Sequence, residues 1–270
     1  MARIWMIVAV LLAPPSAASA CGGTERCEVA EGYYLAFPPP DWDGARPLPL
    51  VVFYHGWNSS PEGMARNGAL IEGVNRRGAM LVLPWAQTGY WRQIGEGRAE
   101  AGRDELGYTR AVMADLAARW PVDQRLVLAS GFSRGGSMVW NLACYGAEMF
   151  SGFAPIAGGF WRSTPARCPA GPVNLRHIHG TGDRVVSFDR VGIYNSMPIP
   201  EGLAVLRAGN GADGEVDRRA VAGKLSCESW EGASGRVVSL CLHGGGHSIP
   251  AEWVGESFDW LAGLPAPALP

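Results

Sequence analysis

The amino-acid sequence predicts an α/β fold with a mainly parallel sheet and helices on both faces. Short, near-continuous apolar runs, such as LPLVVFY at 48–54, are typical of strands that are buried on both faces. Between these runs lie segments whose apolar residues recur at steps of three and four, as in amphipathic helices. Alternation of strands and helices along the chain predicts parallel strands joined by helical crossovers.

The predicted elements are bounded by glycine and proline. The strands are expected at 31–37, 48–54, 79–83, 125–129, 153–156, 175–179 and 236–242. The helices are expected at 64–77 and 104–120, directly after Ser133, and at 250–261. The polar stretch 209–223 is expected to form an irregular surface loop or lid edge. Functional sites of such sheets lie at the carboxyl ends of the strands.

The size and charge of the chain limit its class. It has 270 residues, of which 47% are hydrophobic and 18% are charged, and its formal net charge is −2. This composition predicts a globular protein with one α/β domain over residues 21–270. Positive and negative residues are mixed, so no electrostatic surface for nucleic acid or anionic membranes is expected.

Residues 1–20 have the pattern of a secretory signal peptide. Arg3 precedes an apolar run at 4–12, and small residues lead up to Cys21. The run is shorter than the roughly 20 residues that a membrane span needs. We therefore expect a secreted or periplasmic protein. A core helix is a weaker alternative because Pro14-Pro15 would break it. A lipid anchor at Cys21 is another.

The six cysteines are expected to form disulfides. Their even number after an export signal favours disulfides over metal ligands, and no C-x-x-C pair occurs. A disulfide at the first cysteine would exclude its lipidation. Proximity in the sequence favours three pairs, which are Cys21–Cys27, Cys144–Cys168 and Cys227–Cys241. We expect neither a metal nor a cofactor.

The stretch GFSRGG at 131–136 carries the candidate nucleophile. Its G-x-S-x-G pattern lies between the predicted strand RLVLA and a predicted helix, so Ser133 would project above the sheet. Gly131 and Gly135 would permit the tight backbone turn. The start of the helix would add a partial positive charge near the serine oxygen. A glycine-rich turn with a capping serine is the alternative, which the flanking strand and helix disfavour.

A serine nucleophile on such a turn is followed along the chain by an acid and then by a histidine. His247 follows the last predicted strand in HGGGHSIP, and is our candidate base, with His243 as the alternative. Asp183 follows a strand in HIHGTGDRVV and is our candidate acid, with Asp189 as the alternative. The acid would hold the histidine in one tautomer and stabilise the imidazolium.

Two backbone N–H groups are candidates for stabilising an oxyanion. One belongs to Arg134, the residue after the nucleophile, and the other to Trp57 in the loop YHGWNSS. We expect His55 to brace this loop rather than to act as a base. His177 and His179 lie inside a predicted strand, so at least one of them is expected to face the core.

The chain resembles the secreted polyhydroxybutyrate depolymerase and feruloyl esterase group of α/β-hydrolases. The resemblance covers residues from about 48 to 260 and rests on the stretches VVFYHGWNSS, DELGYTRAVMADLAARWPVDQRLVLASGFSRGGSMVWNLACYGAEMFSGFAPIAGG, HIHGTGDRVV and GGGHSIP. It implies an α/β-hydrolase fold and ester hydrolysis without metal or cofactor. It also implies that Ser133 is the nucleophile, Asp183 the acid and His247 the base.

Arg134 departs from the family, which often has a smaller or neutral residue at this position. A cation there could favour a substrate with a carboxylate or could point to solvent, and we expect the latter. Aromatic loop residues would suit a phenolic acid or the apolar face of a sugar, although we expect at least half of them to be ordinary packing. The candidates for the substrate pocket are Trp57, Trp85, Trp91 and Trp161.

These observations lead to three functional hypotheses. The first is a secreted serine esterase that resembles polyhydroxybutyrate depolymerases and acts on polyesters or 3-hydroxyalkanoate oligomers, with soluble oligomers favoured. The second is a feruloyl or acetylxylan esterase that acts on plant cell-wall esters. The third is a secreted carbohydrate-binding protein without catalytic activity, which the complete set of serine, acid and base disfavours. The ester substrate is the one expected partner, and the sequence does not predict an oligomeric state.

Overall fold

The computed structural model describes residues 21–93 and 102–265, so the predicted signal peptide at 1–20 lies outside the described residues. Within these ranges, ten strands form one sheet. They are β1 (Cys27–Val29), β2 (Gly32–Phe37), β3 (Leu48–Tyr54), β4 (Met80–Pro84), β5 (Val122–Phe132), β6 (Gly152–Ile156), β7 (Leu175–Gly180), β8 (Arg218–Ala222), β9 (Leu225–Glu231) and β10 (Val237–His243).

The strand order across the sheet is β1-β2-β4-β3-β5-β6-β7-β10-β9-β8. The strands from β4 to β10 in this order pair in parallel, whereas β1, β2, β9 and β8 add antiparallel edges. The parallel strands bring the ends of β3, β5, β7 and β10 to the same edge of the sheet. The predicted α/β class with a mainly parallel sheet is therefore confirmed.

Helices cover both faces of the sheet. They are α1 (Pro61–Ala65), α2 (Gly68–Asn75), α3 (Glu105–Arg119), α4 (Arg134–Tyr145), α5 (Ile199–Asn210) and α6 (Glu252–Ala262), and a 3₁₀ turn follows α4 at Ala147–Met149. In β3, Leu50 and Val52 belong to the same buried cluster as side chains of α3, α4 and α5, whereas Val51 and Phe53 belong to a second cluster with side chains of α2 and α6. Alternate strand residues thus feed two cores, one on each face. Among the described helices, none is long and apolar enough to cross a membrane.

Two sequence predictions of local structure are wrong. The single helix expected at 64–77 is two short helices, because the Asn67 side chain accepts a hydrogen bond from the Leu70 N–H and starts α2 anew. The loop expected at 209–223 instead contains the end of α5, a left-handed turn at Gly211 and the edge strand β8. That strand pairs only with β9 and is largely exposed, so it lacks the apolar pattern of a buried strand.

Three disulfides connect neighbouring parts of the fold, and they are the pairs that sequence proximity favours. Cys227–Cys241 joins β9 to β10, Cys144–Cys168 joins the end of α4 to the loop that follows β6, and Cys21–Cys27 closes a short N-terminal loop. No cysteine of the described chain is free. Because its sulfur is bonded to Cys27, Cys21 cannot also carry a thioether-linked lipid.

Helix α4 begins in close backbone contact with the end of β3. A Cβ atom on Gly135 would overlap the carbonyl oxygen of Tyr54 and would approach that of His55. A Cβ atom on Gly131 would lie 2.7 Å from the carbonyl oxygen of Gly135 and 2.8 Å from that of Tyr54. Glycine is therefore required at both positions for the helix to start where it does.

We expect Gly135→Ala to destabilise the protein by about 3 kcal/mol or to prevent folding, because backbone atoms cannot yield to the added methyl group. Urea unfolding of both proteins would measure the difference. The matched control is Gly209→Ala in α5, where a Cβ atom meets no other atom within 4 Å. This control should gain about 0.5 to 1 kcal/mol from its helical position. Equal stability of Gly135→Ala and the unchanged protein would contradict the packing argument.

Candidate active site

Ser133 occupies the turn between β5 and α4 in a rare backbone conformation. Its φ is 55° and its ψ is −118°, a combination that L-residues seldom adopt outside functional sites. Its N–H donates to the Ile156 carbonyl at 2.9 Å, and the first helical bond of α4 runs from the Ser137 N–H to the Ser133 carbonyl. The turn thus ties the serine to β6 and to its own helix, which fixes the hydroxyl at the carboxyl edge of the sheet.

The structure brings Ser133, His247 and Asp183 into one hydrogen-bonded chain. The Ser133 Oγ lies 2.8 Å from His247 Nε2, and His247 Nδ1 lies 2.7 Å from Asp183 Oδ2. An ionised carboxylate only accepts, so Nδ1 of His247 carries the hydrogen and donates it. Nε2 is then an acceptor for the serine hydroxyl, which is the arrangement a general base requires.

Asp183 is buried and its second carboxylate oxygen is also satisfied. Oδ1 accepts from the N–H groups of Val185 and Val186 at 2.8 and 3.0 Å. Burial alone would raise the pKa of Asp183, but the bond from His247 and the backbone donors outweigh it, and the pKa is lowered. The carboxylate therefore stays ionised at neutral and mildly acidic pH.

The alternative base and acid lie in other arrangements. His243 accepts the Gly245 N–H at Nδ1 (3.1 Å), and its ring packs on Trp253 at a centroid distance of 4.6 Å. The hydrogen bond of His247 goes to Asp183, not to Asp189.

The loop that carries Trp57 is held by contacts behind it. His55 is buried, and its Nδ1 donates to the Gly56 carbonyl at 2.9 Å. The Trp91 indole N–H donates to the His55 carbonyl at 2.9 Å. Within the described parts of the chain, the N–H of Trp57 has no acceptor, so it can still donate to a ligand. The Arg134 N–H lies at the first residue of α4. The roles of both donors stay predictions.

A cleft of about 590 Å³ opens beside Ser133, which is within the size range of small-molecule sites. Its lining is mainly apolar and includes Phe53, Trp57, Met64, Phe132, Arg134, Trp161, Val185, Val186, Tyr194, His247 and Ile249. The nucleophile therefore faces a pocket that can hold a sizeable hydrophobic group.

Of the four tryptophans that the sequence suggested for this pocket, Trp57 and Trp161 line it. The suggestion is wrong for Trp91, which is 0% exposed and packs edge-on against Tyr54 in the core below the loop. Trp85 stacks on Tyr33 at 5.4 Å, outside the residues that line the cleft. Both rings fill space between the sheet and its loops, which a sequence pattern cannot distinguish from a pocket wall.

Arg134 does not point to solvent, so that expectation is wrong. The residue is 3% exposed, its Nε donates to the Trp91 carbonyl at 2.8 Å, and its guanidinium lies 4.2 Å from the ring centroid of Trp161. It also lies 5.5 Å from the centroid of Tyr90. The hydrogen bond to the Trp91 carbonyl and the contact with the Trp161 ring both help to stabilise the charged side chain at this buried position.

Two tyrosines of this site were not predicted from the sequence. Tyr90 stacks on Trp57 at 4.9 Å, and Tyr194 stacks on Trp161 at 6.3 Å. Trp57 and Tyr194 are 65% and 60% exposed, so the two stacked pairs reach the mouth of the cleft. Each tyrosine lies one or two residues after a glycine, Gly89 or Gly192, in a predicted loop. This is the one sequence feature that could have indicated them.

Comparison with known proteins finds relatives that are named as esterases. No protein-family model matches the chain. The relative named "Putative esterase NocK", from Nocardia uniformis subsp. tsuyamanensis, is 31% identical over 240 residues, which cover 80% of this chain and 67% of NocK. Feruloyl esterase C of Emericella nidulans is 26% identical, with 83% of this chain and 79% of the relative covered. Feruloyl esterase B of Piromyces equi is 25% identical, and 84% of this chain spans 44% of its length.

Solved structures show the same fold. An acetyl xylan esterase from Aspergillus awamori superposes with a TM-score of 0.60 and 13% identity, over 86% of this chain and 94% of the other. A carboxylesterase from Bacillus cereus gives a TM-score of 0.54 and 15% identity over 86% and 94% of the two chains. At such low identity the likeness speaks for the α/β-hydrolase fold alone.

The named relatives set aside the alternative of a non-catalytic carbohydrate-binding protein. The relatives that carry this argument are named as esterases, and NocK matches over at least two thirds of both chains. The chain therefore belongs to the esterase family that includes NocK, and it is a carboxylic ester hydrolase with an α/β-hydrolase fold.

Proposed function

We propose that the enzyme is a serine esterase that acts through an acyl-enzyme, with Ser133 as nucleophile, His247 as general base and Asp183 as the supporting acid. The observation that carries this proposal is the hydrogen-bonded chain from Asp183 through His247 to the Ser133 hydroxyl. It ends at a cleft large enough for an ester substrate.

In the first half of the reaction, the Ser133 Oγ attacks the ester carbonyl carbon while His247 Nε2 accepts the hydroxyl proton. The negative charge that develops on the carbonyl oxygen would be met by the N–H groups of Arg134 and Trp57. One such donor contributes about 3 kcal/mol to transition-state stabilisation. Asp183 stabilises the imidazolium that forms, because its Oδ2 accepts the Nδ1 hydrogen.

In the second half, the tetrahedral intermediate collapses and His247 gives its proton to the departing alcohol oxygen. Water then enters, loses a proton to His247 and attacks the acyl carbon of the acyl-serine. The second intermediate expels the Ser133 oxygen, which recovers its proton from His247. The acid product leaves and the resting hydrogen-bond chain is restored.

For the acyl group, the observations favour an aromatic acid of the feruloyl type. The cleft is apolar and is walled by Trp57 and Trp161, and its volume of about 590 Å³ exceeds what an acetyl group would fill. Flat rings suit such walls because aromatic pairs prefer stacked or edge-on contacts. Two relatives named as feruloyl esterases add support. Polyester or 3-hydroxyalkanoate hydrolysis, which the sequence favoured, has no such support and stays a prediction.

We also propose that the enzyme works outside the cytoplasm. Three disulfides within the described residues suit an oxidising compartment. The predicted signal peptide at 1–20 agrees with this, although it lies outside the described residues.

The nucleophile is tested with Ser133→Ala. We expect kcat for p-nitrophenyl butyrate to fall by about 10⁴-fold or more, because the attacking oxygen is absent. A serine-reactive fluorophosphonate probe should label the unchanged protein and not this variant. The matched control is Ser234→Ala, a serine of an exposed turn, which should retain full activity and labelling. Equal turnover in Ser133→Ala would rule out the proposed mechanism.

The ionisation of Asp183 predicts the shape of the pH profile. Because its pKa is lowered from the ordinary 3.8, Asp183 stays ionised through the mildly acidic range and adds no protonation step there. On the acid side, log kcat/KM should therefore change by no more than about one unit per pH unit above roughly pH 4. Initial rates with p-nitrophenyl butyrate in buffers of constant ionic strength would measure the slope. A slope near two would show that a second group, such as Asp183, must also lose a proton.

The acyl preference is tested with two substrates measured side by side. We expect kcat/KM for methyl ferulate to exceed that for soluble 3-hydroxybutyrate oligomers by about 5-fold or more, because one well-packed aromatic contact contributes roughly 1 kcal/mol beyond burial. Trp161→Ala should raise KM for methyl ferulate much more than KM for p-nitrophenyl acetate. Faster hydrolysis of the oligomers would favour the polyester activity instead.

A further inference from the structure

Two buried histidines of β7 form a hydrogen-bonded pair behind the proposed triad. His177 and His179 are two residues apart on the strand, so their side chains leave the same face of the sheet. Both are 0% exposed. His177 Nε2 lies 2.9 Å from His179 Nδ1, and His179 Nε2 lies 2.8 Å from the carbonyl oxygen of Val186.

The carbonyl at the end of this chain determines the tautomer of both rings. The Val186 oxygen can only accept, so Nε2 of His179 must carry a hydrogen. In a neutral ring Nδ1 is then an acceptor, and it must receive its hydrogen from Nε2 of His177. Nδ1 of His177 is left without a hydrogen and makes no well-formed hydrogen bond among the described residues. The Pro155 carbonyl acts on this ring and favours its charged form, but burial outweighs that effect and lowers the pKa of His177. All hydrogen bonds in the pair therefore point toward Val186.

The surroundings of the pair favour neutral rings. Burial lowers the pKa of His177 well below its usual range and also lowers the pKa of His179. The charged or titratable groups around His179 are Asp183, His243, His247 and His177 itself. The remaining faces are covered by Phe188 on His179 and by Trp140 on His177, at centroid distances of 5.7 and 5.2 Å.

Val186 connects this pair to the acid. Its carbonyl accepts from His179, while its N–H donates to Asp183 Oδ1 at 3.0 Å. The direct distance from His179 Nε2 to Asp183 Oδ2 is 3.7 Å, which is too long for a hydrogen bond. His179 therefore reaches Asp183 through the backbone of Val186 and leaves Oδ2 available to His247.

We propose that His179, held in one tautomer by His177, is a positioning residue. By donating a hydrogen bond to the Val186 carbonyl, it fixes the backbone that orients Asp183 toward His247. The proposal rests on the proposed function of Asp183 as the triad acid. It assigns to the buried pair a role in catalysis that involves no contact with substrate and no proton transfer of its own.

Two amide variants separate this role from ordinary packing. In His179→Gln the side-chain amide reaches the place of Nε2 and can still donate to Val186, whereas in His179→Asn the amide ends near Nδ1 and cannot. Both variants lose the ring and have similar polarity. If the hydrogen bond to the Val186 carbonyl positions Asp183, His179→Gln should keep kcat within about threefold of the unchanged protein. His179→Asn should lower kcat by about 10- to 100-fold, the cost expected for a misplaced catalytic group.

The pH profile and a stability control exclude a merely structural effect. A misaimed carboxylate stabilises the imidazolium less well, so the acid side of the kcat/KM profile should move to lower pH in His179→Asn and not in His179→Gln. The control is Asn210→Ala, which removes two hydrogen bonds to Val173 at the end of α5. It should lower the melting temperature and leave both kcat and the pH profile unchanged. Equal losses of kcat in Gln and Asn would overturn the proposal.

A third measurement does not depend on activity. Long-range ¹H–¹⁵N spectra of the histidine rings in the full protein should show both His177 and His179 neutral at pH 7, with the hydrogen on Nε2 in each. A hydrogen on Nδ1 of either ring, or a charged ring, would overturn the proposed direction of the hydrogen bonds. If Ser133→Ala remained active while these tautomers were observed, the proposed function would fail and the geometry of the pair would stand.

Discussion

The rest of the site depends on one crowded backbone crossing, at which helix α4 begins against the ends of β3 and β5. Gly131 and Gly135 allow carbonyl oxygens to approach where a Cβ atom would otherwise lie, and Ser133 between them takes a positive φ. Such a conformation costs about 1 to 3 kcal/mol and persists only where the surroundings impose it. Here the Ile156 carbonyl and the first turn of α4 impose it. The position of the hydroxyl is consequently fixed before substrate binds, and His247 and Asp183 must be placed to match it.

Those partners come from strand ends because the central strands are parallel. Asp183 follows β7 and His247 follows β10, which are adjacent and parallel, so both loops emerge at the edge where Ser133 lies. The parallel register thus brings residues together that are separated by 64 positions between acid and base and by 114 between base and serine. Hydrogen bonds then select one proton arrangement, with a donor at His247 Nδ1 and an acceptor at Nε2.

The sequence was most informative where a segment is buried on both faces or carries a rigid motif. The prediction for β3 agrees with the observed bounds. Ser133 was predicted from its motif between a strand and a helix, and Asp183 and His247 were predicted from strand ends and chain order. It failed where tertiary contacts decide. The strand β8 lies at the edge of the sheet, pairs only with β9 and is largely exposed. It therefore lacks the run of apolar residues by which a buried strand is recognised in a sequence. The burial of Trp91 depends on the ring of Tyr54, and that of Arg134 depends on the ring of Trp161. These contacts join residues that are far apart in the sequence, so no local pattern encodes them.

Buried neutral histidines recur behind both loops that would serve the reacting ester. His55 donates to the Gly56 carbonyl next to Trp57, and His179 donates to the Val186 carbonyl next to Asp183. Burial lowers the pKa of both rings, so each is a donor without a charge. A lysine or arginine could grip the same carbonyl, but its charge would compete with His247 for the carboxylate of Asp183 and would weaken the stabilisation of the imidazolium. A neutral imidazole donates the same hydrogen bond to the backbone without adding a charge near Asp183 and His247.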